Sequence, residues 1–151
     1  MTLVLENIRS GGNVGSILRT ADGLGVAEVL LVGYTPSPPH REILKTSLGA
    51  EASVTWRHVG DDVAAALAAL RQNGTAVYAL EQTADAHALA DFAASAPPDL
   101  ALVLGNEVRG VSDEALACCA GAIEIPQVGI KKSLNVSVAA GIAAWRLSQP
   151  I

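Results

Sequence analysis

Short apolar runs recur along this chain, each followed by a segment patterned as a helix, and this alternation limits the fold more than any other feature. Leu3–Ile8, Glu28–Val32, Val54–Val59, Ala76–Leu80, Leu100–Leu104 and Ala122–Ile125 read as strands. Between them lie a helix over Asn13–Leu24 stopped by Gly25, a short helix over Arg41–Leu48 ended by Gly49, and an Ala-rich helix capped by Asp61 that runs to Gln72 before Asn73-Gly74. Ser112 is expected to cap a short helix through Cys119, and Ser133 to cap a last, almost wholly apolar helix. Gly33–Arg41 holds Pro36, Pro38 and Pro39 and must be a loop, while Ala84–Pro98 is mixed, with one short helix before its Pro-Pro stop. The strands are continuous apolar runs more than alternating patterns. Strands of that kind are buried on both faces, so the fold class is α/β, a parallel sheet flanked by helices. The 151 residues fit a single domain, and no linker or repeat divides them. Aromatics make up only 3%, so Ala, Val, Leu and Ile must build the core.

Several function classes are disfavoured. The net charge of −5 argues mildly against strong unassisted binding to nucleic acid, although a local basic patch can sit on an acidic protein. Cys118 and Cys119 are adjacent, too few for a zinc site, and read as small half-buried residues. His40, His58 and His87 stand in no ligand motif, so no metal is expected. There is no Gly-x-Ser-x-Gly elbow. Met1–Glu6 lacks the basic region of a signal peptide, and Leu134–Leu147 is too short for a membrane span and carries Asn135 and Arg146. A cytoplasmic protein without membrane attachment is the expectation.

Polar residues gather in three places. Asn7 to Thr20 places Gly11, Gly12 and Gly15 between a strand and a helix, with the spacing of neither the dinucleotide fingerprint nor the P-loop. In it Arg19 follows Asn13 by six residues, nearly two turns, and is expected to lie over it beside buried surface. An ion pair or an outward-reaching side chain is the plainer reading of Arg19. Leu104-Gly105-Asn106-Glu107-Val108-Arg109-Gly110 follows the most apolar strand, at the strand end where α/β sheets bind ligands, though it also reads as an ordinary solvated turn. Ile125 to Ala139 runs from a strand end through Pro126, Gly129, Lys131, Lys132 and Ser133 into the apolar helix. There Asn135 needs partners, because an unpaired buried polar group costs about 1–3 kcal/mol. The helix itself is apolar on nearly every face, which requires burial on several sides, inside the domain or against a second subunit.

Together and in this order, Asn13-Val14-Gly15-Ser16-Ile17-Leu18-Arg19-Thr20-Ala21, Leu104-Gly105-Asn106-Glu107 and Ile125-Pro126-x-x-Gly129 with Ser133-Leu134-Asn135-Val136-Ser137-Val138-Ala139 closely resemble the three motifs of the SpoU-type (TrmH-like) RNA ribose 2′-O-methyltransferases of the SPOUT superfamily. The resemblance spans nearly the whole chain. It implies a C-terminal deep trefoil knot, a fold that general chain rules would exclude. It implies S-adenosylmethionine as cofactor, held at Leu80, Glu81, Leu104, Gly105, Asn106, Glu107, Ile125, Pro126, Gln127, Gly129, Ser133, Leu134 and Val136. It implies a homodimer joined through the last helix and the first-motif helix. Arg19 would be catalytic and reach the other subunit's site, with Asn13, Glu107, Ser133 and Asn135 shaping it. Cations available to an RNA substrate, tRNA more than rRNA, are Arg9, Arg19, Arg41, Lys45, Arg109, Lys131 and Lys132. Residues 1–151 would form one methyltransferase domain with no separate RNA-binding extension, and with so few cations a helper protein for RNA is conceivable. The competing reading is a non-catalytic paralogue that binds cofactor or RNA without turnover. Retention of Asn13, Arg19, Glu107, Ser133 and Asn135 favours the enzyme.

Overall fold

In the computed structural model, which describes residues 1–149, the strands pair into one parallel sheet of seven. In chain order the elements are β1 (Thr2–Glu6), α1 (Gly11–Leu24), β2 (Glu28–Val32), α2 (Arg41–Ser47), β3 (Trp56–His58), α3 (Val63–Gln72), β4 (Ala76–Leu80), β5 (His87–Ala88), α4 (Leu89–Phe92), β6 (Leu100–Leu104), α5 (Asp113–Cys118), β7 (Gly121–Glu124) and α6 (Val136–Ser148). The sheet order is β3-β2-β1-β6-β4-β7-β5. β1 and β6 lie at its centre, with Val4 aligned to Leu30 on one side and to Val103 on the other.

Side-chain alternation divides the core into two layers. Leu3, Leu5, Leu31, Leu102 and Leu104 pack with Ile17, Leu18, Ile43, Ala140 and Ala143 of α1, α2 and α6. Val4, Leu30, Val32, Ala101 and Val103 pack with Val63, Leu67 and Ala115 of α3 and α5. Both faces are covered, which is the physical reason these strands carry no polar alternation. Each buried Leu contributes roughly 1.5–3 kcal/mol.

The elements depart from the sequence reading at their ends. β1 stops at Glu6 instead of Ile8 because Asn7 turns into the left-handed region (φ 52°), where its Oδ1 accepts from the Tyr34 amide at 3.1 Å. α1 begins two residues before Asn13, since Ser10 Oγ accepts from the Asn13 amide and draws Gly11 and Gly12 into the first turn. β3 spans three residues where Val54–Val59 was expected, because the Val54 amide bonds back to Ala50 as part of a helical turn. Asp62, not Asp61, caps α3, accepting from the Ala65 amide at 2.8 Å. Asn135, not Ser133, caps α6. β7 begins and ends one residue earlier than expected, and the mixed stretch after Ala84 holds a two-residue edge strand, β5, besides α4 and a 3-10 turn.

Gly15 sets the closeness of α1 to α2. A Cβ there would run into Thr46 Oγ1 and the Ile43 carbonyl, and the Thr46 hydroxyl donates to the Gly12 carbonyl at 2.9 Å. On its other flank α1 packs against α6. Ala140, Ala143 and Ala144 of α6 are fully buried, whereas Val138, Ile142 and Trp145 are 50%, 40% and 55% exposed. The helix is therefore apolar on an inner face the domain covers and on an outer face it does not. Among the described residues, no helix is long and apolar enough to cross a membrane.

Candidate functional site

β4, β6 and β7 are neighbours in the sheet, and the segments leaving their C-terminal ends, with the start of α6, enclose a cleft of about 570 Å³. That volume lies in the range of cofactor and small-ligand sites, at the strand ends where open α/β sheets bind them. Its walls are apolar at Leu80, Leu104, Ile123, Ile125, Leu134, Val136 and Ala139 and polar at Glu81, Glu107, Glu124 and Asn135.

The turn after β6 forms one wall and is held by hydrogen bonds centred on Asn106. Asn106, buried, exchanges backbone bonds with Gly110 at 3.0 and 2.8 Å. Its Oδ1 accepts from the Val108 and Arg109 amides, both at 2.9 Å, and its Nδ2 donates to the Asn7 carbonyl and the Tyr34 hydroxyl, both at 2.9 Å. Gly105 lies against the Gly110 backbone with no room for a side chain. Gly110, at φ 72°, lies against the Glu81 carboxylate, which accepts from the Val111 amide at 3.0 Å. The wall after β6 is thus fastened to the one after β4.

Glu107 gathers the first motif to the second. Its carboxylate accepts from the Arg9 amide at 2.8 Å, the Ser10 amide at 3.0 Å and Asn13 Nδ2 at 3.0 Å. Partial burial pushes its pKa up, but these three donors outweigh burial and hold it below the ordinary value of 4.5. Asn135 extends the chain of contacts to the third motif. Its Nδ2 donates to Asn13 Oδ1 at 3.1 Å, while its Oδ1 accepts from the Ser137 and Val138 amides and the Ser137 hydroxyl. One Asn therefore caps α6 and ties the three motifs together.

Among the residues anticipated for a cofactor, Leu80, Glu81, Leu104, Gly105, Asn106, Glu107, Ile125, Gln127, Ser133, Leu134 and Val136 all line this cleft. Pro126 and Gly129 do not; they are exposed, on a loop held to the β4 side by Gln82 Nε2 donating to the Lys132 carbonyl at 2.9 Å. Gln82, Val108, Gly110, Val111, Ile123, Glu124 and Ala139 line the cleft without having been singled out. Each adjoins an anticipated residue or closes a strand, and that adjacency was the only signal for them.

Arg19 is exposed and outside the cleft of its own chain, away from Asn13. Six residues of helix turn through about 600°, which leaves two side chains about 120° apart, so the expected superposition fails. Among the cations, Arg109 lines the cleft, Arg9 and the Lys131-Lys132 pair lie exposed on loops beside it, and Arg41 and Lys45 sit on α2, where Lys45 pairs with Glu42 at 2.9 Å. Cys119 is half-buried, and burial, with Cys118 and Glu6 nearby, pushes its thiol up to about 12, so it is unreactive at neutral pH. Among the described residues no cluster could hold a metal ion.

A parallel α/β sheet with a half-open, hydrogen-bonded cleft at its strand ends, drawn from three separated motifs, has the architecture of the α/β proteins that bind ligands at such ends. Residues 1–145 match the model of the SpoU rRNA methylase family, and the chain belongs to that family. It is 39% identical over 142 residues to a tRNA (guanosine(18)-2′-O)-methyltransferase of Thermus thermophilus, covering 94% of this chain and 71% of that protein. A solved structure described as giving structural insights into the 2-OH methylation of C/U34 on tRNA superposes with a TM-score of 0.82 at 31% identity, over 97% of this chain and 92% of that one. The SpoU methyltransferase AviRb from Streptomyces viridochromogenes, in complex with the cofactor AdoMet, superposes with a TM-score of 0.84 at 26% identity, over 98% of this chain. This chain spans 56% of the AviRb chain.

Proposed function

We propose that the protein transfers a methyl group from S-adenosylmethionine to a ribose 2′-hydroxyl of RNA, with tRNA the favoured substrate. The observation that carries this reading is the Glu107–Asn13–Asn135 chain of hydrogen bonds, which joins the three methyltransferase motifs at the mouth of one cofactor-sized cleft. The residues present suit the cofactor. Leu80, Leu104, Ile125, Leu134 and Val136 offer apolar surface for a base, and Glu81, Glu107 and Glu124 offer negative charge near a sulfonium.

When bound, that cofactor supplies a methyl group on a cationic sulfur, already a good electrophile. The protein's own task is to align the hydroxyl and assist loss of its proton. A guanidinium carries N–H donors and no acceptor, so Arg19 serves as a donor and not as the base. Its role is to orient the hydroxyl and stabilise negative charge developing on its oxygen. Since Arg19 is exposed outside the cleft of its own chain, it acts on the cleft of a second copy. The uncovered face of Val138, Ile142 and Trp145 on the neighbouring α6 supports a homodimer. Asn13, Glu107, Ser133 and Asn135 hold the site in shape, and Pro126 and Gly129 set the course of the cofactor loop. A trefoil knot through which α6 is threaded accords with β7 lying between β4 and β5 in the sheet. We further assign residues 1–151 to one methyltransferase domain working in the cytoplasm, with a helper protein to supplement its few RNA-facing cations.

The test is incubation with methyl-labelled S-adenosylmethionine and bulk tRNA or rRNA, followed by nucleoside analysis. Labelled 2′-O-methylnucleosides are expected, falling by about 100-fold or more in Arg19→Ala with cofactor affinity kept. Tight cofactor binding with no label in any RNA fraction would overturn the proposal in favour of the non-catalytic reading.

A further inference from the structure

We propose that Tyr34 is a stacking platform for an unpaired base of the bound RNA, next to the nucleotide that enters the cleft. The inference rests on the reading of the chain as an RNA-modifying protein, and it adds a base contact that none of the three motifs contains.

The chain has few aromatic rings, two Trp, two Tyr and one Phe. Tyr78 and Phe92 pack edge to face at 4.7 Å. Trp56 is half-buried, with its indole N–H donating to the Glu51 carbonyl at 3.0 Å. Trp145 lies on the outer face of α6. Tyr34 is different from all of these. It is 61% exposed, in the loop directly after β2, at the same end of the parallel sheet as the cleft.

Exposed as it is, Tyr34 is held at both ends. Its amide donates to Asn7 Oδ1 at 3.1 Å, and its hydroxyl accepts from Asn106 Nδ2 at 2.9 Å. Asn106 lines the cleft, and its Oδ1 fixes the amides of Val108 and Arg109. The ring is thereby oriented by the cleft wall itself, while its apolar face is left to water. A fixed aromatic face carries little entropic cost of ordering when a flat partner binds.

Charge selects the partner. Exposed Arg9 follows β1, and exposed Arg109 follows β6, the two neighbouring strands that carry Asn7 and Asn106 of the Asn7–Asn106–Tyr34 junction and lie to one side of β2. An aromatic face beside a run of cations is an arrangement that receives a single-stranded nucleic acid, bases on the ring and phosphates on the guanidinium groups. Stacking tolerates any base, so Tyr34 contributes affinity and placement without a fixed sequence preference.

The experiment measures binding of fluorescent tRNA to the full chain in the presence of S-adenosylhomocysteine, with affinity for the latter measured separately by calorimetry. Tyr34→Ala and Tyr34→Leu are expected to weaken RNA binding about 5- to 100-fold, while Tyr34→Phe and Tyr34→Trp stay within about threefold of wild type. Affinity for the cofactor product should be the same in all of them. The Leu variant separates stacking from mere apolar contact. RNA affinity unchanged in Tyr34→Ala overturns the inference. So does a Phe variant as weak as Ala with cofactor-product affinity also reduced, because Tyr34 would then only brace Asn106. An altered sedimentation coefficient in Tyr34→Ala with RNA affinity intact assigns the ring to a protein contact and equally overturns it. A wild-type chain that binds RNA but transfers no methyl removes the methyltransferase reading alone, and the affinity comparison still decides Tyr34. A wild-type chain that binds no RNA removes the stacking inference, and the nucleoside analysis decides the methyltransferase reading separately.

Discussion

Glu107 shows how much of this site depends on the ionisation of one side chain. As a carboxylate it offers only acceptors, and it faces three donors, the Arg9 and Ser10 amides and Asn13 Nδ2. Its pKa is depressed in the folded chain, so its contribution to stability is present above the ordinary carboxylate value and is lost as pH falls through the lower folded value. Glu107→Gln keeps the shape but turns one acceptor into a donor, which leaves one of the three donors facing a like group. At pH 7 the Gln variant is expected to be less stable by about 1 kcal/mol, a figure discounted for the solvent exposure of the carboxylate. As pH falls through the depressed folded value the gap should close, because wild type then loses its own carboxylate. Thermal melts of both proteins across that range check it. A gap that stays constant with pH would mean the donors do not respond to the charge. The motif residues themselves were visible in the sequence, but their wiring was not. Nothing in the spacing of Glu107 and Asn13 says that one accepts from the other, because their separation in the chain carries no periodicity that links them. Asn135 is legible as a polar residue needing partners, but the sequence gives the cap to Ser133 because both types cap helices equally well. Only the path of the backbone decides which of the two meets the first free amides of α6.

At the scale of elements, strand and helix order followed from apolar runs and caps, and β2, β4 and β6 have the bounds their runs suggest. The ends moved where a side chain competed with the backbone pattern. Ser10 started α1 early through two glycines that read as loop, and the turn at Ala50–Ala52 took residues from β3. Helix packing was the least legible, because a small residue in a sequence does not say which neighbour it makes room for. Gly15 and Gly23 share α1, and helix propensity treats them alike. The structure does. A Cβ at Gly15 meets backbone of α2 at Ile43 and Ser47 as well as Thr46, and backbone there yields only if α2 moves. A Cβ at Gly23 meets nothing within 4 Å. Gly15→Ala is therefore expected to destabilise by about 1–3 kcal/mol through overpacking. Gly23→Ala should stabilise by about 0.5–1 kcal/mol through helix propensity. Urea unfolding of the two variants checks both signs; equal effects would mean that α1 and α2 are not in firm contact.

For the whole molecule, the question is how a cleft and its proposed catalytic Arg come to be on different surfaces. Within one chain the cleft opens at the ends of β4, β6 and β7, while Arg19 is exposed outside it on α1. α1 packs against α6, and the outer face of α6 presents Val138, Ile142 and Trp145 at helical spacing of four and then three residues. An apolar stripe of that kind on a chain with net charge −5 is costly to leave in water unless a partner covers it. In the proposed homodimer a second copy would cover it by a two-fold axis, since the same patch on each chain is then self-complementary. That arrangement would bring each Arg19 towards the other chain's cleft and account for its having no side-chain hydrogen bond or ion pair among the described residues of its own chain. Trp145→Glu places a charge at one end of the stripe without touching the cleft or the buried Ala140, Ala143 and Ala144. Sedimentation is expected to show a dimer for wild type and a monomer for this variant. Methyl transfer should fall by about 100-fold or more in the monomer, the loss expected when the group stabilising the transition state is removed, while each chain keeps its own complete cofactor cleft and binds S-adenosylhomocysteine within a fewfold of wild type. A monomeric variant that still methylates RNA at the wild-type rate would show that Arg19 acts on its own chain or not at all. Mixing Arg19→Ala chains, which keep an intact cleft, with Asn135→Ala chains, which keep Arg19 but have a disabled cleft, should restore methyl transfer from two inactive proteins, because a mixed dimer pairs an intact cleft with an intact Arg19 only when the Arg is supplied across the interface.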